Sequence, residues 1–233
     1  MTRIVIIAAL WREVAPLIQR NQNHWQRDAN LHPKGVAVWI STDAVVAFAG
    51  MGESRVSLAV EAAFATGPVS ELISVGWAGA CVPGVRVGSI ARPSTVVNAR
   101  TGERYSCVTG DGSVLATVAA FAGSEEKLRL HAAYGASALE MEAATVARLA
   151  QAHELPFRAI KAISDAADFD FPVIARFHTA DGQFREAAFA AYVACRPWLW
   201  KPVLQMAQSS KLAAESLCVE IDLQIQQLRN LHE

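Results

Sequence analysis

Apolar and polar positions change periodicity in blocks along the chain, and each block predicts one element. "RIVIIAA" (3–9) is a continuous β-branched run of the kind that fills a strand covered on both faces. "WREVAPLIQR" then shifts to helical spacing, so a strand leads into a helix. "GVAVWI" (35–40) and "AVVAFAG" (44–50) flank Ser41, Thr42 and Asp43, the composition of a hairpin turn. "ESRVSLAVEAAFAT" (53–66) is an alanine-rich helix stopped by Gly67-Pro68. "ELISVGWAGA" (71–80) reads as a buried strand ending in small residues, and Pro93, within the mixed stretch 85–98, argues for an edge or a bend.

Beyond the turn-rich "TGDGS" (109–113), Ser124 is placed to cap a helix over 124–134. "ASALEM" (136–141) predicts a strand, "EAATVARLAQAHE" (142–154) a helix, and "FRAIKAISD" (157–165) a strand closing on Ser164-Asp165. From Asp181 the composition is helical, interrupted near Pro197 and Pro202, with an amphipathic helix over 211–228. This alternation predicts a three-layer α/β/α fold around a mixed, largely parallel twisted sheet. The 233 residues suit a single domain with a helical C-terminal extension over about 181–233, and no internal repeat or low-complexity linker divides them.

Composition narrows the partners. The chain is 52% hydrophobic with 6 tryptophans, enough for one large core, and its 21 basic and 22 acidic residues balance to a formal charge of −1. Spread without blocks, those charges give no footprint for nucleic acid or an anionic membrane, so a small molecule is the expected partner. The wholly apolar run Ile4 to Trp11 is far below the ~18 residues of a membrane span, as is every other such run, and no basic segment precedes it. A cytoplasmic location is expected. Cys81, Cys107, Cys195 and Cys218 lack paired metal-ligand spacing, which predicts buried free thiols rather than disulfides or a metal site; no cofactor is called for.

In open α/β sheets ligands sit beyond the carboxyl ends of the strands. Those ends carry Glu13, Gly50-Met51-Gly52, Glu140 to Glu142, and Ser164-Asp165, so three carboxylates are expected to converge on one cleft. "ALEMEA" (138–143) poses the sharpest question: on a strand, Glu140 and Glu142 would project from one face and repel unless each had a partner or a task. Each acid also has a structural reading, as a helix cap, a first-turn acid or a solvated surface group. For Glu140 a partner such as Arg158 or Lys161 is the preferred reading.

The fragments "IVIIAALWREV", "GMGESR", "VGWAGA", "ALEMEAATVA" and "AISDAAD", in that order, resemble the purine nucleoside phosphorylase superfamily, especially its methylthioadenosine/S-adenosylhomocysteine nucleosidase branch. The resemblance covers roughly Arg3 to Asp168. It implies cleavage of the N-glycosidic bond of a purine nucleoside, with Asp165 protonating or hydrogen-bonding the purine N7, Glu142 gripping the ribose hydroxyls, Met141 packing under the sugar, and Glu13 positioning or activating water. Met51, Trp77, Ala78, Gly79 and Ser164 fall in the matching substrate-binding segments. The stacking aromatic of the nucleosidases aligns with Ser113, and the backbone that reads the base edge with Val114. Homo-oligomerisation is implied too, and the final helix offers Leu217, Val219, Ile221, Leu223, Ile225 and Leu228 for a partner or for the core.

The chemistry justifies these residue types independently. Breaking the bond puts positive charge on the ribose and negative charge on the purine, so a proton donor belongs beside the base and carboxylates beside the sugar. An aspartic acid that donates near neutral pH needs a raised pKa, which burial beside other carboxylates would supply.

The chain also departs from the nucleosidase pattern. Trp77 stands where they carry a small hydroxyl residue, and an indole there would fill the space or cover the substrate. The 98–113 stretch is shorter, implying a more open pocket. "SEEKLRLHAAYGASALEMEAATVARLA" also resembles the hopanoid-associated branch, which acts on adenosylhopane, and futalosine hydrolase is a further relative. Hydrolysis is favoured over phosphorolysis: the nearby candidates for phosphate are Arg12, Arg55 and Arg86, none in the phosphorylase arginine motif, and surface salt bridges are the simpler reading for them. Two other classes remain. One is a dinucleotide-binding oxidoreductase, which "AGMGES" imitates without its third glycine. The other is a nucleoside-binding protein that kept the fold and lost turnover.

Overall fold

The computed structural model describes residues 2–232 except Asn21, Gln22, Leu31, His178 and residues 180–183; the side chains of Pro172 and 228–232 also lie outside it. Asp181 and the side chain of Leu228, both named above, therefore fall outside the described residues.

The alternation of patterns becomes real elements. β1 (Arg3–Ala8) runs into α1 (Trp11–Arg20). Short β2 (Gln26–Arg27) and the β3 (Ala37–Ile40) and β4 (Ala44–Phe48) hairpin come next, then α2 (Glu53–Phe64) and the long β5 (Val69–Ala80). Pro93 lies between β6 (Ile90–Ala91) and β7 (Thr95–Asn98), where no strand hydrogen bond is needed. β8 (Arg104–Ser106) and β9 (Val114–Thr117) precede α3 (Ser124–Tyr134), β10 (Ala136–Glu140), α4 (Ala143–Ala152) and β11 (Phe157–Asp165). A 3-10 helix (Pro172–Phe177), α5 (Glu186–Ala194), a second 3-10 turn (Pro197–Leu199) and α6 (Trp200–His232) complete the chain.

Three expectations change. Ser124 is the first helical residue of α3 and Gly123 the cap, with no side-chain capping bond. The last helix starts at Trp200 rather than 211, because Pro202 falls in its first turn, where the missing N–H has no intrahelical acceptor. β10 stops at Glu140, so Met141 and Glu142 belong to the turn into α4.

The described strands form one mixed sheet in the order β2-β3-β4-β1-β5-β10-β9-β7-β8, with β11 paired to β5 and β6. β1 is parallel to β4 and β5, β11 to β5, and β9 to β10 and β7. Period-two alternation in β1 sends Val5 and Ile7 to one face, against α2 and α4, and Ile4, Ile6 and Ala8 to the other, against α1 and the second half of α6. That gives the three layers. β5 is the pivot: its carboxyl end leaves β1, meets β10 at Gly79 and Ala80, and stays beside β11 to Asp165. The ends of β5, β10 and β11 thus meet in one corner.

Candidate functional site

At the β10–α4 junction Glu140 is fully employed. Its carboxylate accepts the backbone N–H groups of Glu142 (3.0 Å) and Ala143 (2.9 Å), capping α4, and the Thr117 hydroxyl at 2.6 Å. Thr117 Oγ1 in turn accepts the N–H of Ala144 at 3.0 Å. Lys161 Nζ, 1% exposed, lies 2.9 Å from Glu140 Oε2 and donates to Ser74 Oγ and the Val75 carbonyl. Of the two partners expected for Glu140, Lys161 is the one used; Arg158 pairs with Glu71 at 2.5 Å.

Glu142 turns the other way. Gly52 donates its N–H to Glu142 Oε1 at 3.0 Å, and among the described residues this is the one hydrogen bond to its carboxyl group. Buried with so little compensation, its carboxyl is pushed up to about 8, first by burial and next by the charge of Glu140; Glu13 adds to the rise and Lys161 opposes it. Glu13 is not the solvated helix residue of its structural reading: it is 4% exposed. Ala9 and Leu10 donate to its Oε2 at 2.9 and 2.8 Å, and Trp77 donates its N–H to Oε1 at 2.9 Å. Burial raises its pKa, against those backbone donors and Lys161. Gly76, at φ +140°, is what lets β5 approach: a Cβ there would meet Glu13 Oε1 at 2.7 Å.

Asp165 occupies a separate setting around the bend of β5. Ser164 Oγ donates to its Oδ1 at 2.7 Å, and Lys127 Nζ lies 2.5 Å from its Oδ2. Lys127 is 1% exposed and also donates to the carbonyls of Ala166 and Phe169, at 2.7 and 3.3 Å. The carboxylate neighbours expected to turn Asp165 into an acid surround Glu142 instead; Asp165 has an ammonium beside it. Gly79 is required here as well, since a Cβ would come within 2.7 Å of Asp165 Oδ2. Lys127 was not foreseen, although it stands three residues before Leu130 on the buried face of α3.

The other expected residues divide by strand end. Ala78 and Gly79 are buried in the floor, Ala78 accepting the Ser164 hydroxyl at 3.3 Å, while Met51, Gly52, Met141, Ser164 and Asp165 form a half-buried rim. Trp77, half-buried, packs against the apolar layer on the α1 and α6 side of the sheet rather than filling this corner, and among the described residues its indole N–H has no partner. Ser113 and Val114 are not brought to the site. β9 is parallel to β10, with Val114 opposite Ala136 and Thr117 opposite Glu140, so both residues lie at the amino end of β9. The neighbouring Val108 donates its N–H to Phe157 at the start of β11, which marks the same wrong end. The segment that leaves β9 at the right end is 118–123, carrying Phe121, 46% exposed; its position after a strand end was the available signal.

Arg12 pairs with exposed Glu186 and Arg55 donates to the Lys34 carbonyl, while Arg100 and Arg148, not anticipated, both reach Glu53 at the start of α2. Surface hollows of about 420 and 520 Å³ lie elsewhere, one by Arg27 and His32, the other by Ile90 and Leu212. All four cysteines are free; Cys81 and Cys218 are buried as expected, whereas Cys107 is half-buried and Cys195 exposed.

Solved structures share this fold. The apo 5'-methylthioadenosine nucleosidase of Arabidopsis thaliana superposes with a TM-score of 0.70 at 17% identity, over 98% of this chain and 96% of that one. The Helicobacter pylori 5'-methylthioadenosine/S-adenosylhomocysteine nucleosidase with butyl-thio-DADMe-Immucillin-A gives 0.66 at 18%, over 95% and 98%. Futalosine hydrolase of Helicobacter pylori gives 0.66 at 18%, over 95% and 97%. No curated protein sequence matches the chain. The family model of the phosphorylase superfamily matches residues 3–111 and 100–195, and with its sheet order and strand-end acids the chain belongs to that superfamily.

Proposed function

We propose that this chain hydrolyses the N-glycosidic bond of a purine nucleoside, a 5'-substituted adenosine of the methylthioadenosine/S-adenosylhomocysteine kind. The observation that carries the reading is how differently the acids are occupied. Glu140 is consumed by α4, Thr117 and Lys161, whereas the carboxyl group of Glu142 has one hydrogen bond among the described residues and that of Asp165 has two. A carboxylate offers about four lone-pair positions. Glu142, protonated up to about pH 8, still offers acceptor positions and one O–H donor to two ribose hydroxyls, and Asp165, its side chain 26% exposed, has capacity to face a purine N7. Glu13, with three N–H donors, retains one position for water.

In this reading water forms the bond to C1' as the bond to the purine nitrogen breaks. The proton from water passes to Glu13, and the purine takes one at N7 from the Asp165–Lys127 pair, whose ammonium is the proton-bearing member. Phe121, on the segment leaving β9 at this end, takes the stacking role in place of Ser113. Nucleosidases named for methylthioadenosine and S-adenosylhomocysteine share the fold, which supports the substrate. We further read residues 1–233 as one domain with 181–233 as its extension, in a cytoplasmic protein that associates with copies of itself.

Incubation with methylthioadenosine, S-adenosylhomocysteine, adenosine and inosine, with and without phosphate, tests the reading by free base. Adenine release from the 5'-substituted substrates without phosphate is expected. Strict phosphate dependence would replace hydrolysis by phosphorolysis, and tight binding without base release would make the chain a nucleoside-binding protein.

A further inference from the structure

Residues 184–212 form an apolar arm that the described residues cover only in part, chiefly where Phe177 packs on Phe189 and Tyr192. α5, with the sequence EAAFAAYVA, and the first three turns of α6 would ordinarily bury a face, yet in 184–212 only Phe189 is buried. The buried residues of α6 begin at Ala213, where the helix reaches α1 and the sheet. At the joint between the two helices Trp198 is 71% exposed, Trp200 51% and Leu204 62%. Side chains of that size projecting together mark an interaction surface rather than scattered exposure.

The charges on the arm say what kind. No Asp or Glu occurs between Glu186 and Glu215, while Arg196, Lys201 and Lys211 fall in that interval. Glu186 itself pairs with Arg12. Arg196 is held with its guanidinium 3.6 Å from the Tyr192 ring centre, and Lys201 is exposed between Trp200 and Pro202. In a chain whose charges are otherwise interspersed, this element thus carries two exposed tryptophans and three cations with no intervening carboxylate. Tryptophan presents an apolar body with a polar edge suited to the headgroup level of a bilayer, and neighbouring Lys and Arg are drawn to anionic lipid. The exposed stripe further along α6, Leu212, Val219 and Leu223, lacks that character: it has no tryptophan, and Arg20, Glu215 and the Arg92-paired Glu220 beside it mix both signs of charge. We propose that the arm built from α5, the 197–199 turn and the start of α6 docks the protein peripherally on an anionic lipid surface, with Trp198, Trp200 and Leu204 entering the interface and Arg196 and Lys201 facing the headgroups. No described helix is long and apolar enough to cross a membrane, so the mode is attachment, not insertion across the bilayer.

Co-sedimentation of the full chain with vesicles of phosphatidylcholine alone and of phosphatidylcholine with phosphatidylglycerol tests this. Binding is expected only with the anionic lipid and should fall at high salt. Replacing Arg196 and Lys201 by Gln should weaken it about fivefold per charge, roughly 25-fold together, and a Trp198→Ser, Trp200→Ser pair should abolish it while base release from a soluble nucleoside stays unchanged. Failure of the wild type to sediment with anionic vesicles would overturn the proposal. So would a tryptophan pair that keeps vesicle binding, or one that dissociates a dimer of a protein blind to vesicles, which would make the arm a subunit contact.

Discussion

Two corners at the same end of the sheet manage buried charge in opposite ways. In the β10–α4 corner Glu13, Glu140 and Glu142 share one buried ammonium, Lys161, with backbone N–H groups making up part of the deficit. In the β11 corner Asp165 has Lys127 to itself. The first arrangement holds more negative charge than its cation neutralises, so the least compensated member, Glu142, keeps its proton up to about pH 8. The second pairs one carboxylate with one ammonium. The raised pKa of Glu142 thus follows from burial and from the local excess of carboxylates over ammonium groups.

Removing the shared cation is expected to have the largest effect. Lys161→Met leaves Glu140 buried without its ion pair and should cost about 3–5 kcal/mol in urea unfolding. The loss should shrink toward acid pH, where the carboxyl groups take up protons; a variant as stable as wild type at pH 8 would erase the contrast between the corners. Next, Asp165→Asn should lower the rate of base release about 10²–10⁴-fold and also lower the thermal midpoint, because it leaves the buried Lys127 ammonium without its carboxylate; full turnover in the folded variant would remove Asp165 from the reaction.

Glu142→Gln sharpens the comparison through pH. The folded carboxyl titrates at about 8 against an ordinary 4.5, so between those values the folded state holds a proton that the unfolded state has released. That contribution to stability is complete below pH 4.5 and lost as pH rises through 8. The non-ionising variant should therefore match wild type near pH 4 and exceed it above pH 8 by roughly 2–4 kcal/mol, measured as urea midpoints across pH, while base release falls. A variant with no alkaline advantage would show that Glu142 is compensated after all. Smallest is Gly76→Ala, about 1–3 kcal/mol: its φ and the 2.7 Å approach to Glu13 Oε1 force β5 away from the N–H-held carboxylate. A crystal structure should show the bond from Trp77 N–H to Glu13 lengthened.

How much of this the sequence carried is clearest at "ALEMEA". It placed both glutamates beside a strand end and named Arg158 or Lys161 as a partner for one, of which Lys161 is used. It also put them on one strand face, because nothing local reports that β10 stops at Glu140. Ser113 was misplaced for a related reason: aligning it with a stacking aromatic ignored which end of β9 it occupies, a matter settled by the parallel register with β10.

Alone, the sequence determined the alternation of strands and helices, the α/β class, and the set of acids that follow strands, because periodicity reflects burial along a few consecutive residues. Only the tertiary structure decided the partnerships: Gly52 with Glu142 across 90 positions, Lys127 with Asp165 across 38, Trp77 with Glu13 across 64. Such contacts depend on strand register, on the bend of β5 and on which face each layer covers, and those are settled when the apolar surfaces pack together rather than by any short stretch of chain.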